Sequence, residues 1–171
     1  MPRVSILSGL IIFGLIAAFG SREARAEIAL HTSIFYQSSE TDASEYTEMF
    51  YSLGIGSLGS SGFYWGGVYR NQAYGETTTR TSYGASVGYH KDSFGIFAHY
   101  FLASNYDTGT VISGTGFGLD LFYLFKLGPI RLGPMFAWQS YTYNKNEDGD
   151  DLADPSAVTL IDPFIMFLFK F

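Results

Sequence analysis

The residues best suited to hold a charged ligand fall in one run, Asn144-Lys145-Asn146-Glu147-Asp148-Gly149-Asp150-Asp151, which continues to Asp154. Side-chain oxygens recur there at every second position around a glycine. Hard cations such as Ca2+ take oxygen ligands that converge from alternate positions, and a glycine permits the sharp turn this needs. The ligand set for such an ion is Asn144, Asn146, Asp148, Asp150 and Asp154, with Ca2+ as the one candidate cofactor. The same residues make an ordinary acidic, solvated loop, and that is the reading preferred. Proton-transfer chemistry has fewer candidates. The chain has three histidines, His31, His90 and His99, and His31 shares a two-residue period with Ser33. A nucleophile beside a base is the minimum for covalent catalysis, but no histidine falls in a long polar loop, so no catalytic residue and no enzyme activity are expected.

These side chains must be positioned by strands. From Glu27 onward apolar residues recur at every second position, the period of a β-strand rather than a helix. Eight segments follow: 28–38, 46–57, 62–70, 80–90, 94–103, 114–126, 130–141 and 158–171. The fourth is clear, with Thr81, Tyr83, Ala85, Val87 and Tyr89 opposing Arg80, Ser82, Gly84, Ser86, Gly88 and His90; the phase of the third is ambiguous. Connections after the second, fourth and sixth segments are short (58–61, 91–93, 127–129). Those after the first, third, fifth and seventh are longer and polar (39–45, 71–79, 104–113, 144–157).

The polar faces carry His31, Glu48, Arg80, His99, Asp120, Arg131, Asp162 and Lys170, with Arg70 assigned to the same side. Six of these, Glu48, Arg70, Arg80, Asp120, Arg131 and Asp162, are expected to form a charge network inside a closed sheet. Removing charges from water costs several kcal/mol each unless they pair. Paired, they plug the interior; left open, they would line a narrow polar path. Eight strands enclose a space just wide enough for side chains to fill, which favours the plug. Glycines on the same faces, among them Gly54, Gly84 and Gly118, make room for the larger groups.

Composition agrees with a membrane-embedded sheet. Aromatics reach 18 %, with 16 Phe, 13 Tyr and 20 Gly, and there is no cysteine. No apolar run after residue 26 is long enough for a spanning helix, and alternation in ten-residue segments rich in aromatics is the mark of a membrane barrel. The N-terminal stretch reads differently. Arg3 precedes a nearly continuous apolar run to Phe19, and Ala24-Arg25-Ala26 offers small residues ahead of Glu27, the layout of a cleavable signal peptide over residues 1–26. Removing it takes three of the 10 basic and one of the 16 acidic residues, leaving 7 and 15 and a net charge near −8. That excludes nucleic acid as a natural partner, since phosphate binding needs a cationic surface.

The last segment ends Phe164-Ile165-Met166-Phe167-Leu168-Phe169-Lys170-Phe171. Its alternating Ile165, Phe167, Phe169 and Phe171 resemble the C-terminal sorting signal of bacterial outer-membrane proteins, and the eight-segment layout resembles the small OmpA/OmpX-type barrels. Pro163 departs from the pattern and is expected to weaken pairing near the start of this strand. The acidic run likewise resembles the first half of an EF-hand calcium loop, but has Asn at its first place and Pro155 where a bidentate Glu belongs. The outer-membrane resemblance implies an all-β, eight-stranded antiparallel up-and-down transmembrane β-barrel over residues 27–171, monomeric, with both termini periplasmic. Its implied partners are membrane lipids, lipopolysaccharide and the outer-membrane assembly machinery. The expected role is structural or interactive, with a narrow solute channel as the first alternative and a lipid-modifying enzyme as the second.

Overall fold

The computed structural model describes residues 26–41, 44–75 and 77–171. The expected signal peptide therefore lies outside the described residues, apart from Ala26. Nine strands follow in order: β1 (Glu27–Thr41), β2 (Ser44–Leu58), β3 (Phe63–Tyr74), β4 (Thr78–Lys91), β5 (Phe94–Asp107), β6 (Val111–Tyr123), β7 (Phe125–Leu127), β8 (Ile130–Lys145) and β9 (Asp151–Lys170). Successive strands from β1 to β6 pair antiparallel, β6 and β7 both pair with β8, β8 pairs with β9 and β9 with β1, so the up-and-down sheet closes into a ring. Among the described residues no helix is long and apolar enough to cross a membrane.

The ninth strand has a local cause. Both β6 and β7 pair with β8, and Phe122 opposite Met135 and Phe125 opposite Leu132 keep one register. Continuing that register sets Tyr123 opposite Pro134. The Leu124 N–H donates to the Ser93 carbonyl on the β5 side, so by alternation Tyr123 turns its backbone toward β8. There it meets a proline with no N–H to give, and the ladder lapses. The sixth expected segment is thus one run of chain counted as two strands.

The larger departure is in the connections. Strands continue through most of what reads as long polar loops. Tyr74 and Thr78 flank one turn, Asp107 and Val111 another, and Lys145 pairs directly with Asp151. Apolar alternation stops where the outward apolar face stops, but hydrogen-bond pairing does not need apolar side chains. Thr, Tyr and Ser carry the ladder further.

Burial follows the two-residue period. Odd residues of β1 and β8 and even residues of β2, β3, β4, β6 and β9 face inward, and the third segment resolves with Tyr64, Val68, Arg70 and Gln72 inside. Strand β5 changes phase. Register shifts at Tyr83/Gly84 and Phe101/Ser104 place Phe101 and Ser104 inside with Leu102 outside. Gly84 is required at this bulge, because a Cβ there would lie 1.9 Å from the Tyr100 carbonyl oxygen, a backbone atom. Gly84→Ala is expected to cost about 1–3 kcal/mol through forced backbone movement, read as a lower urea midpoint. Gly67→Ala, whose Cβ meets nothing closer than 3.7 Å, serves as the near-neutral control.

Candidate functional site

The interior is a solid column of side chains. Near the end that carries Glu27 and Phe171, Phe97 stacks on Tyr64 and packs edge-on to Phe122. The Tyr64 hydroxyl lies 3.2 Å from His31 Nε2. His31 occupies space that a side chain at position 54 would take, since a Cβ on Gly54 would fall 2.0 Å from its Nε2. His90 is buried beside Phe122, and neither ring nitrogen has a hydrogen-bond partner among the described residues. Ser33 and Ser52 share a 2.6 Å hydrogen bond above this layer.

The middle layer holds the ionised centre. Arg70 Nη2 donates to both oxygens of Asp120, at 3.0 and 2.8 Å. Asp120 Oδ2 also lies 2.8 Å from His99 Nε2, and His99 Nδ1 lies 2.6 Å from the Ser86 hydroxyl. All four residues are at most 3 % exposed. Arg70 stands on β3, Ser86 on β4, His99 on β5 and Asp120 on β6, so one hydrogen-bonded chain ties four successive strands. The remaining guanidinium edge of Arg70, with Nε and Nη1 unpartnered among the described residues, sits over the Phe101 ring.

Serine, histidine and aspartate are the residue types of acyl-transfer catalysis, but their arrangement here serves cohesion. In the hydrolytic triad the base faces the serine through Nε2 and the acid through Nδ1; here the nitrogens are exchanged. The acid is also clamped by an arginine, and Ser86 is buried at 2 % exposure.

A third layer lies toward the end away from Glu27 and Phe171. Arg80 Nε donates to the Tyr143 hydroxyl at 2.7 Å, and Nη1 donates to Gln72 Oε1 and the Tyr74 hydroxyl at 3.0 and 3.1 Å. Its guanidinium also lies 4.9 and 5.0 Å from the ring centroids of Tyr106 and Tyr141. Gln139 accepts from Tyr141 and donates to Asp162. Ser82, Ser104 and Tyr143 form a hydroxyl chain.

The expected six-residue network is therefore distributed. Arg70 and Asp120 form a direct pair, Arg80 and Asp162 belong to the layer above, and Glu48 is half-buried on β2. Arg131 stands apart at the rim near the C-terminus, where its guanidinium donates to the Asp92 carbonyl in the β4–β5 turn. Lys126, on the same two-residue period as Asp120, is exposed because β7 runs past the last interior layer at Leu124. His99 and Ser86 prove central to the ion pair. Ser104, Tyr106 and Tyr143 were not legible as interior groups. The first two follow the β5 phase change, and Tyr143 sits beyond the expected end of its strand.

The acidic run is a close hairpin between β8 and β9. Asn146 Oδ1 accepts the Asp150 N–H, Asn146 N–H donates to the Asp150 carbonyl, and Gly149 N–H donates to the Asn146 carbonyl. The Lys145 ammonium lies 2.9 Å from Asp151 and 3.1 Å from the Gly149 carbonyl. Asn144 and Asp154 belong to the flanking strands. Among the described residues no group of three or more His, Cys, Asp or Glu side chains is placed to hold a metal ion.

At the closing pair, Ile34 stands opposite Ile165 and Thr32 opposite Phe167, and Ile28 and Phe171 exchange backbone hydrogen bonds. Ile165 and Phe171 are exposed, and Phe167 and Phe169 half-buried. Fold and interior together define an all-β protein, a closed antiparallel ring with a hydrogen-bonded polar column. No protein-family model and no curated protein matches the sequence.

Proposed function

We propose that the chain is an integral β-barrel protein of the bacterial outer membrane, structural or interactive in role, with a closed polar lumen. The observation that carries this reading is the inversion of its faces. Outward positions on successive strands hold large exposed apolar groups, among them Leu53, Trp65, Val87, Leu102, Phe117 and Phe136, while the inside hides ion pairs and hydroxyl networks beside buried apolar groups such as Phe50, Phe97 and Met166. Soluble monomers rarely expose contiguous apolar surface beyond a few hundred Å². A closed ring in lipid leaves no strand edge to solvate. On this reading β6 and β7 count as one crossing, giving eight. Both termini would face the periplasm, from which the assembly machinery would reach β9 by its Ile165, Phe167, Phe169 and Phe171 face.

Two measurements test the proposal. The protein folded in detergent should migrate faster before boiling than after, and should stay with membranes in alkaline carbonate; release by carbonate would overturn the membrane assignment. In planar bilayers it should give no steady current steps, because Arg70, Asp120, Phe97 and Tyr141 fill the cross-section. Regular unitary steps would instead support the narrow channel.

A further inference from the structure

The ring is not closed along its whole height. β1 pairs with β2 from Glu27 to Thr41, and β9 pairs with β8 from Ser156 to Phe169 and again at Asp151. Between β1 and β9, however, the ladder stops at Ile34 opposite Ile165. Phe35 and Phe164 still touch just beyond, with ring centroids 6.3 Å apart. Past them, no pairing joins the two strands among the described residues.

Pro163 accounts for the stop. Phe171 exchanges backbone hydrogen bonds with Ile28, so odd residues of β9 turn their backbone toward β1. The continuing register would set Pro163 against Tyr36, and Pro163 has no N–H to offer. Unpaired backbone groups are costly in hydrocarbon, and the proline lessens that cost where the unpaired β9 edge begins.

Beside this gap, at the open end of the column, lies a pocket of about 350 Å³ lined by Tyr74, Thr78, Arg80, Tyr106, Val158 and Leu160. Its size falls at the lower end of the roughly 300–1,000 Å³ of small-molecule sites. Val158 and Leu160 come from the stretch of β9 that has lost β1, so cavity and gap share a wall. Arg80 supplies its charge. Among the described residues the hydrogen-bond partners of Arg80 are all neutral oxygens, its Nη2 makes no hydrogen bond, and no ion pair includes it. Asp162 is within electrostatic range, as it is of Glu48 and Arg70. Those acids favour a ligand that brings a single negative charge over one that brings two.

We propose that this cavity binds a long-chain fatty acid, its carboxylate held by Arg80 and its acyl chain passing over Val158 and Leu160 and out through the β1–β9 gap. The proposal rests on the membrane reading for the route of entry, and on the cavity alone for binding.

The test uses the full folded protein in nanodiscs of zwitterionic lipid, with the fluorescent fatty acid cis-parinarate as probe. Saturable emission enhancement is expected, displaced by palmitate but not by hexadecanol, which has the chain without the charge. Arg80→Gln should weaken binding at least about tenfold. Because Arg80 also packs among tyrosines, Val158→Trp provides a second route: it fills the cavity, leaves the guanidinium in place, and should abolish binding while the heat-dependent mobility stays unchanged. Pro163→Val restores the missing donor and should slow probe exchange severalfold with little change in affinity. Equal displacement by hexadecanol would overturn the proposal, and so would an unaltered affinity in Val158→Trp or an absence of saturable binding by inserted protein. Tighter displacement by lysophosphatidate than by palmitate would overturn the carboxylate assignment. Insertion is scored separately by flotation of the protein with lipid. Failure to float overturns the membrane reading and the lateral route together, whereas a floating protein that ignores parinarate overturns the site alone.

Discussion

Asp120→Ala is expected to lower unfolding stability by about 3–5 kcal/mol, the cost of stripping one partner from a buried ion pair. Asp120 is 1 % exposed and accepts from Arg70 and His99 together. Its removal strands a guanidinium that has no other hydrogen-bond partner among the described residues, and frees the imidazole that Ser86 orients. Asp120→Asn keeps the volume and one acceptor and should cost less. The double replacement Arg70→Met with Asp120→Leu should recover most of the loss, since apolar groups of similar volume often replace a buried pair with little penalty. Urea titration of the protein in lipid vesicles, followed by tryptophan emission, measures all three. A loss below about 1 kcal/mol in Asp120→Ala would show that the interior tolerates an unpaired Arg70, and the cohesive role of the column would fall with it.

The second large effect concerns the outer face. Leu53 projects outward from β2, about half exposed, opposite Thr32 on β1 and Tyr69 on β3. In a bilayer, Leu53→Arg should cost about 2–4 kcal/mol, the penalty for arginine on the lipid face near the midplane of a barrel. If water surrounded the ring, the same change would place a charge in solvent and leave stability nearly unaltered. Vesicle folding titrations of wild type and variant therefore separate the two environments by one substitution. Thr159→Arg, on an exposed position of β9 nearer the hairpin, should be mild in both.

Much of the fold is legible in the residues themselves. The alternation of Thr81, Tyr83, Ala85, Val87 and Tyr89 against Arg80, Ser82, Ser86 and His90 needs no tertiary information, because a strand's side chains point to opposite faces at every step. Where alternation carried a bulky apolar residue on both phases, as in Phe63-Tyr64-Trp65, the face could not be assigned. Partners across the ring decided it, with Tyr64 entering against His31 and Phe97. Strand ends were misread for the opposite reason. Polar hairpins such as the one joining Lys145 to Asp151 look like loops when hydrophobicity is the only guide, although backbone pairing runs on through them.

The candidate site divides in the same way. Arg70 stands in the segment whose phase was ambiguous, whereas that Arg80, Asp120 and Asp162 share the interior follows from sequence phase. Which of them meet does not, because Arg70 and Asp120 are fifty residues apart and three strands distant. Their contact depends on the diameter of the ring and on the register of every hairpin between them. The bulge at Gly84 and Leu102 changes the phase of β5 and brings in Ser104, and the sequence around it shows only a glycine among other glycines.

By itself, then, the sequence determined the strand period, the polarity of most faces and the charges carried on the polar side. These are properties of neighbours along one chain. Only the tertiary structure decided that Asp120 would serve Arg70 and His99 at once, that the acidic run would close on itself as a hairpin, and that β1 and β9 would part above Ile34 and Ile165. Each of those depends on the relative height of strands far apart in sequence. A single residue such as Pro163 acts there only through the partner that closure brings opposite it.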